Sequence, residues 1–551
     1  MEFFLLYTLV LIFSFSNRFA VVQGTSTVAT ASGVVIGKEV CHDSHCSHSF
    51  LGIPFAEPPV GALRFKRPVA KKPWGGLLRA VEFSKPCFQR RGKIPAVPWQ
   101  ADESESSEDC LYLNVWTPSN RSSDTLLPAM LWLHGGSFRI GSANLDVYDG
   151  SVLASYGQVV VVSTNYRLGA FGFMNANTSD VPGNAGLWDQ YLALRWVHDN
   201  VGAFGSDRSR VTLFGESVGA ASTGMLALSP LSRGLVRRII MQSGTPRWPL
   251  HLENESGAAD ASRRALDLVR DVGCLSGDAF TPKAVACLQN VPPEDVASAE
   301  LRIFSDHVFT FLPSIGDALV PVAPIEAVEE DVKLPIDVMM GTNVREGAIL
   351  FFMGSTPDGV AKNWTSSSAG LDVAFGRAYI AHVFAGFPKS IVERISERYL
   401  GTLSKRSAPE DVFAALVSSD GDFMFNCPAL FLADSFSSRV DVLLAYKFGH
   451  RALPAPWPEE FEATHSDEIQ FVFGAPLRHP GRYSTEDVLM SETIMSTWAS
   501  FAHTGTPQLP GRKAWPRYDK EHRSYVAFQH GSVTVNHGLE GQNCDFWKGL
   551  I

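Results

Sequence analysis

The stretch Val211-Thr212-Leu213-Phe214-Gly215-Glu216-Ser217-Val218-Gly219-Ala220-Ala221-Ser222-Thr223-Gly224-Met225-Leu226-Ala227-Leu228 decides the fold. An apolar strand, Val211 to Phe214, runs into Gly215-Glu216-Ser217-Val218-Gly219, and a small-residue helix, Val218 to Leu228, runs out of it. A strand-to-helix turn this tight forces its middle residue into a strained backbone conformation and needs glycine on both sides. The serine hydroxyl then stands clear of the sheet as a nucleophile. In a chain of 551 residues with 46 glycines the pentad also arises by chance, so a second element has to support it.

That element lies upstream, where the apolar run Pro128-Ala129-Met130-Leu131-Trp132-Leu133 ends in His134-Gly135-Gly136-Ser137-Phe138. Glycine lets backbone N–H groups come close to the developing oxyanion of a tetrahedral intermediate; the other reading is an ordinary Gly-Gly turn. Both elements in this order favour acyl transfer. Buried strands such as Val159 to Val162 alternate with helical stretches such as Asp189 to Asn200. This pattern predicts an α/β protein, a large mostly parallel sheet with helices on both faces, and with the elbow an α/β-hydrolase fold. In that fold the catalytic order is Ser, then Asp or Glu, then His. Glu346 is a candidate acid, since it follows the apolar run Ile336 to Met340 in Gly341-Thr342-Asn343-Val344-Arg345-Glu346-Gly347. His382, His450, His465, His479 and His503 are candidate bases, and spacing does not choose among them.

The composition is that of one large core, with 45% hydrophobic and 19% charged residues and no linker, charge block or repeat dividing the chain. A net charge of -10 without a basic stripe argues against a nucleic-acid partner and favours neutral or cationic ligands. The acidic run Asp102, Glu103, Glu105, Glu108 and Asp109 either draws cations inward or is a solvated face. Phe3 to Phe15 is too short to span a bilayer, which needs roughly 20 residues. Small residues follow at Ala20 and Gly24, as in a cleaved secretory signal over residues 1–24, although the segment before the apolar run carries Glu2 and no Lys or Arg, a departure from the usual pattern. Residues 25–551 are then the secreted domain. Eight cysteines, with Cys41 close to Cys46 and Cys274 close to Cys287, fit an oxidising compartment. The rival reading of Cys41, His42, His45 and Cys46 is a zinc site, but nothing elsewhere completes a tetrahedral set. Sequons at Asn120, Asn177, Asn254 and Asn363 fit a secreted surface.

From about Val28 to Asp545 the chain resembles the type-B carboxylesterase and cholinesterase family. Beyond the serine motif, the resemblance rests on Phe50-Leu51-Gly52-Ile53-Pro54-Phe55-Ala56-Glu57-Pro58-Pro59, Glu108-Asp109-Cys110-Leu111-Tyr112-Leu113-Asn114-Val115 and Tyr166-Arg167-Leu168-Gly169-Ala170-Phe171-Gly172-Phe173. It implies a serine esterase needing no cofactor and no metal, with Ser217 as nucleophile, Glu346 as acid and His465 as base, the last followed by Glu468-Ile469-Gln470-Phe471-Val472-Phe473-Gly474. It implies oxyanion donors at Gly136, Ser137 and Val218. It also implies, with proximity, the disulfides Cys41–Cys46, Cys87–Cys110, Cys274–Cys287 and Cys427–Cys544. Ser137 stands where the family usually has glycine and Val218 where it usually has alanine, so reduced tolerance for bulky acyl groups is expected.

For the substrate pocket the resemblance is divided. Glu216, Tyr148 and Trp457 match gorge positions of cholinesterases, where aromatic faces and desolvated carboxylates hold quaternary ammonium. Trp99 lies near the choline-binding tryptophan, displaced by one residue relative to Cys110; it is either in the gorge or a surface-loop anchor. Ile349 stands where cholinesterases carry an aromatic or a small residue, Asp467 replaces an aromatic, Arg139 is expected at the rim, where it would repel a cation, and His307 with Phe309 occupy the acyl-pocket positions. The expected partner is a small-molecule carboxylic ester, choline-like or neutral. The alternative is a cholinesterase-like binding or adhesion protein, against which the complete triad speaks. The sequence ends at Ile551 with no visible tetramerising helix or membrane anchor, so a monomer or loose dimer is expected.

Overall fold

The computed structural model describes residues 21–90, 101–122, 124–247, 255–275, 277, 279–304, 310–329, 333–352, 371–539 and 541–551. Its strands are β1 (Val21–Thr30), β2 (Gly33–His42), β3 (His45–Pro54), β4 (Leu77–Arg79), β5 (Tyr112–Pro118), β6 (Leu127–Leu133), β7 (Val160–Thr164) and β8 (Ser206–Glu216). These are followed by β9 (Arg238–Gln242), β10 (Leu334–Asn343), β11 (Val440–Gly449), β12 (Gln508–Leu509), β13 (Lys513–Ala514), β14 (Tyr525–Gln529) and β15 (Ser532–Asn536). Thirteen form one sheet in the order β1-β2-β3-β5-β7-β6-β8-β9-β10-β11-β14-β15, with β4 alongside β2. The run β7-β6-β8-β9-β10-β11-β14 is parallel throughout. Antiparallel strands flank it on both sides.

Every residue of β6, β7 and β9 is buried, as expected where helices cover both faces of parallel strands. Alternate side chains feed two cores. Leu131, Val162, Leu213, Ile239 and Val338 pack on one face, and Met130, Trp132, Val161, Phe214, Ile240 and Met339 on the other. The strand expected at Val211 to Phe214 extends over Ser206–Glu216, the helix expected from Asp189 begins at Ala185, and the helix Val218–Leu228 matches its expected bounds.

The four disulfides are Cys41–Cys46, Cys87–Cys110, Cys274–Cys287 and Cys427–Cys544. Cys41 and Cys46 face each other across the β2–β3 hairpin, so the thiolates a zinc site would need are taken. No helix among the described residues is long and apolar enough to cross a membrane.

Candidate active site

Ser217 sits between β8 and the helix Val218–Leu228 with φ 58° and ψ -126°, a region L-residues avoid. The bond from its N–H to the Gln242 carbonyl (2.8 Å) and from the Ala221 N–H to its own carbonyl (3.0 Å) hold that conformation. The flanking glycines are there for space. A Cβ on Gly219 would lie 2.1 Å from the Leu133 carbonyl oxygen, and one on Gly215 would lie 2.6 Å from the same oxygen. Both distances are well inside van der Waals contact, so the elbow packs against the end of β6 only without side chains.

The end of β6 carries the Gly-rich segment. Gly136, Ser137 and Phe138 all have positive φ (106°, 57° and 57°), which turns the chain sharply beside Ser217. Gly136 and Ser137 are half-buried, whereas His134, Gly135 and Phe138 are buried. The His134 ring stacks on Tyr166 at 4.3 Å, and burial drops its pKa to about 4, so it stays a neutral structural support. The Tyr166 hydroxyl donates to the His134 carbonyl at 2.7 Å.

Glu346 follows β10, and His465 follows the turn after β11. His465 Nδ1 lies 2.7 Å from Glu346 Oε2. The other Glu346 oxygen accepts from Ser243 Oγ (2.5 Å) and the Asn343 N–H (2.6 Å), which fixes the carboxylate plane. Of the five candidate histidines, His450 instead pairs with Asp487 at 2.7 Å, His479 with Asp146 at 2.8 Å, and His503 reaches the Gly157 carbonyl at 3.1 Å. His382 closes a helix at Val373–Val383.

His465 Nε2 faces Glu216 Oε1 at 3.0 Å, and no hydrogen bond joins it to Ser217 among the described residues. Glu216 is buried, which pushes its pKa up. Burial also works against the imidazolium at His465, but Glu216, Glu346 and Glu468 together outweigh it and raise its pKa. Glu468 forms a further buried layer, accepting from Gln242 (2.9 Å) and Asn343 (2.7 Å). The Phe425 ring lies 4.3 Å from the His465 ring.

The other expected pocket residues are not equally placed. Tyr148 is buried beside Trp132 at 5.2 Å. Ile349 is buried with its N–H on Thr464 Oγ1 at 3.1 Å. Trp457 is buried and donates its indole N–H to Asp467 at 3.0 Å, so the residue standing in place of an aromatic engages the tryptophan instead. Arg139 corrects the expectation of a cation at the rim. It follows two left-handed residues, Ser137 and Phe138, and is buried, with the buried Glu300 carboxylate acting on its charge. Trp99, His307 and Phe309 lie outside the described residues.

Ser243, Ser466, Gln242 and Asn343 are functional neighbours that the sequence reading missed, since each acts through a contact between distant segments. Glu468 had a signal, its place three residues after His465.

The Carboxylesterase family matches residues 24–547. Acetylcholinesterase-1 of Trittame loki is 37% identical, covering 95% of this chain and 94% of that protein. Acetylcholinesterase of Danio rerio is 34% identical, with 99% and 92% covered, and that of Bungarus fasciatus is 35% identical, with 96% and 87% covered. With the elbow, the Gly-rich turn and the histidine–glutamate pair in one place, the chain belongs to the carboxylesterase family and is a serine hydrolase of carboxylic esters.

Proposed function

We propose that Ser217 attacks the ester carbonyl while His465 takes its proton and returns it to the leaving alcohol, with Glu346 orienting the imidazole. The backbone N–H groups of Gly136, Ser137 and Val218 receive the oxyanion. Catalysis requires His465 Nε2 to turn from Glu216 to the Ser217 hydroxyl, a tightening of the kind apo sites undergo on binding substrate. The acyl-enzyme on Ser217 is then hydrolysed with His465 acting as base toward water.

The substrate we infer is a small cationic ester of the choline type. The single observation that carries this is Glu216, a buried carboxylate adjoining Ser217 and 3.0 Å from His465 Nε2. Burial pushes that carboxyl toward its neutral form, but His465 and the Ser466 hydroxyl oppose the push, and the carboxylate they hold favours a cationic alcohol group. A neutral-ester carboxylesterase is the second reading, favoured by Ile349 and by Asp467 being engaged with Trp457.

Hydrolysis of acetylthiocholine beside an uncharged acetate ester of similar size, by wild type and Ser217→Ala, tests both. A clear preference for the charged ester supports the choline reading. Cleavage of the neutral ester alone supports the second, and no cleavage above Ser217→Ala sinks the assignment of Ser217.

The same reading makes the protein secreted after loss of residues 1–24, glycosylated at exposed Asn120 and Asn177, and monomeric or loosely dimeric. Cleavage there leaves Thr25 to Thr30 paired with Gly33 to Lys38 of β2. The sequons at Asn254 and Asn363 lie outside the described residues.

A further inference from the structure

Ser466 is a buried residue in a conformation that disfavours it. Its φ is 74°, in the left-handed region where a Cβ is strained, and it is 7% exposed. Its hydroxyl donates to Glu216 Oε1 at 2.6 Å, the same oxygen that lies 3.0 Å from His465 Nε2. The second oxygen is confined too, since a Cβ on Gly135 would lie 2.6 Å from Glu216 Oε2. One carboxylate oxygen thus takes the Ser466 hydroxyl and faces the catalytic imidazole, while Gly135 leaves room for the other.

The surroundings of Glu216 otherwise oppose its charge. Burial raises its pKa, as do the neighbouring carboxylates Glu468 and Glu346; of the surrounding groups, His465 and the Ser466 hydroxyl act in the other direction. Tyr148, Tyr166 and Tyr446 also sense its field, and all three are pushed upward first by their own burial. None of these tyrosines supplies a positive charge. Without the hydroxyl, the carboxyl would lose its neutral donor and keep, among the described residues, His465 as the cation that acts on it.

Resting on the ester-hydrolase mechanism above, we propose that Ser466 is a positioning residue that sets the ester class: its hydroxyl holds Glu216 as an anion beside the nucleophile, making the site select cationic over neutral esters. Ser466 touches no reacting atom. It acts through Glu216, which attracts a cationic alcohol group and stabilises the imidazolium of His465.

Ser466→Gly tests this without threatening the fold, because glycine adopts φ 74° freely and only the hydroxymethyl group is lost. The preference for acetylthiocholine over the uncharged acetate ester, as a ratio of kcat/KM, is expected to fall about fivefold to tenfold, the loss of one hydrogen bond to a charged group. The acid limb of kcat/KM for the neutral ester is expected to move to lower pH. With Glu216 neutralised more readily, less holds the proton on His465, and the imidazole is free at lower pH. Ser466→Ala, which lacks the hydroxyl but keeps the strain, is expected to give the same ratio.

A ratio and acid limb within twofold of wild type in Ser466→Gly would overturn the proposal, as would disagreement between the two variants, which would trace the effect to strain. Wild type that cuts only the neutral ester overturns it while leaving the hydrolase mechanism standing. Wild type no better than Ser217→Ala on either ester removes both.

Discussion

Gly244 lies directly beneath Ser217, so that a Cβ placed on it would sit 2.0 Å from the Ser217 carbonyl oxygen. The elbow serine is therefore packed against a glycine outside its own motif, just after β9. Gly244→Ala is expected to displace Ser217 and lower kcat about a hundredfold, the scale of a roughly 1 Å misplacement of a reacting group. Gly202→Ala, at a glycine with open space around it, should leave kcat unchanged. Steady-state kinetics with active-site titration checks both.

Ser243 donates to the Glu346 oxygen that does not face His465, at 2.5 Å. Ser243→Ala leaves that oxygen with the Asn343 N–H and frees the carboxylate to swing. We expect kcat to fall about tenfold with KM little changed, the loss of a bond to a charged group acting on orientation. Retention of full kcat would show that Asn343 alone suffices.

In the proposed mechanism Val218 and Ser137 narrow the space beside the ester carbonyl. Wild type should hydrolyse bulky-acid esters more slowly than acetates. Val218→Ala removes two methyl groups from a fully buried position and should narrow that gap by roughly the 10-fold range that a methylene or two decides in an apolar pocket. Equal rates on acetates and bulky-acid esters in wild type would remove this prediction.

Asp420 is buried, accepts a hydrogen bond from the Tyr379 hydroxyl, and is pushed up to about 7 by burial. A carboxyl whose pKa is higher folded than unfolded favours the fold below its unfolded value, near 4, and loses that advantage as pH rises toward 7. Asp420→Asn keeps an acceptor and removes the charge. It should raise Tm relative to wild type at pH 8 and change it little at pH 4, the difference amounting to a few kcal/mol, on the order of one pKa unit per 1.4 kcal/mol. Calorimetry at the two pH values decides it.

Which parts of this arrangement could be read from the sequence follows from how local each is. The elbow and the Gly-rich turn were legible because each is a short contiguous motif: Gly136 is confined locally, by Ile140, while Gly215 and Gly219 make room for the Leu133 carbonyl on β6. Glu346 and His465 were visible only as candidates, since what unites them is a contact across 119 positions, and the family resemblance supplied the choice. Ser243 and Ser466 gave no signal, because nothing in a serine's neighbours announces a positive φ or a distant carboxylate. Arg139 misled, since its burial with Glu300, a residue far along the chain, leaves no mark in its own neighbours. Asp467 marked the loss of an aromatic, but its bond to Trp457 became visible only in three dimensions.

The bonds that align the site span the chain. His465 and Glu346 are 119 positions apart, Ser243 and Glu346 103, and Ser466 and Glu216 250. A parallel sheet closes such long loops late and slowly. Recovery of ester turnover after denaturation therefore reports the last stage of assembly. A refolding chain can regain its helices, and even strands β6 to β9 with the elbow between them, and still be silent until the segment after β11 comes home.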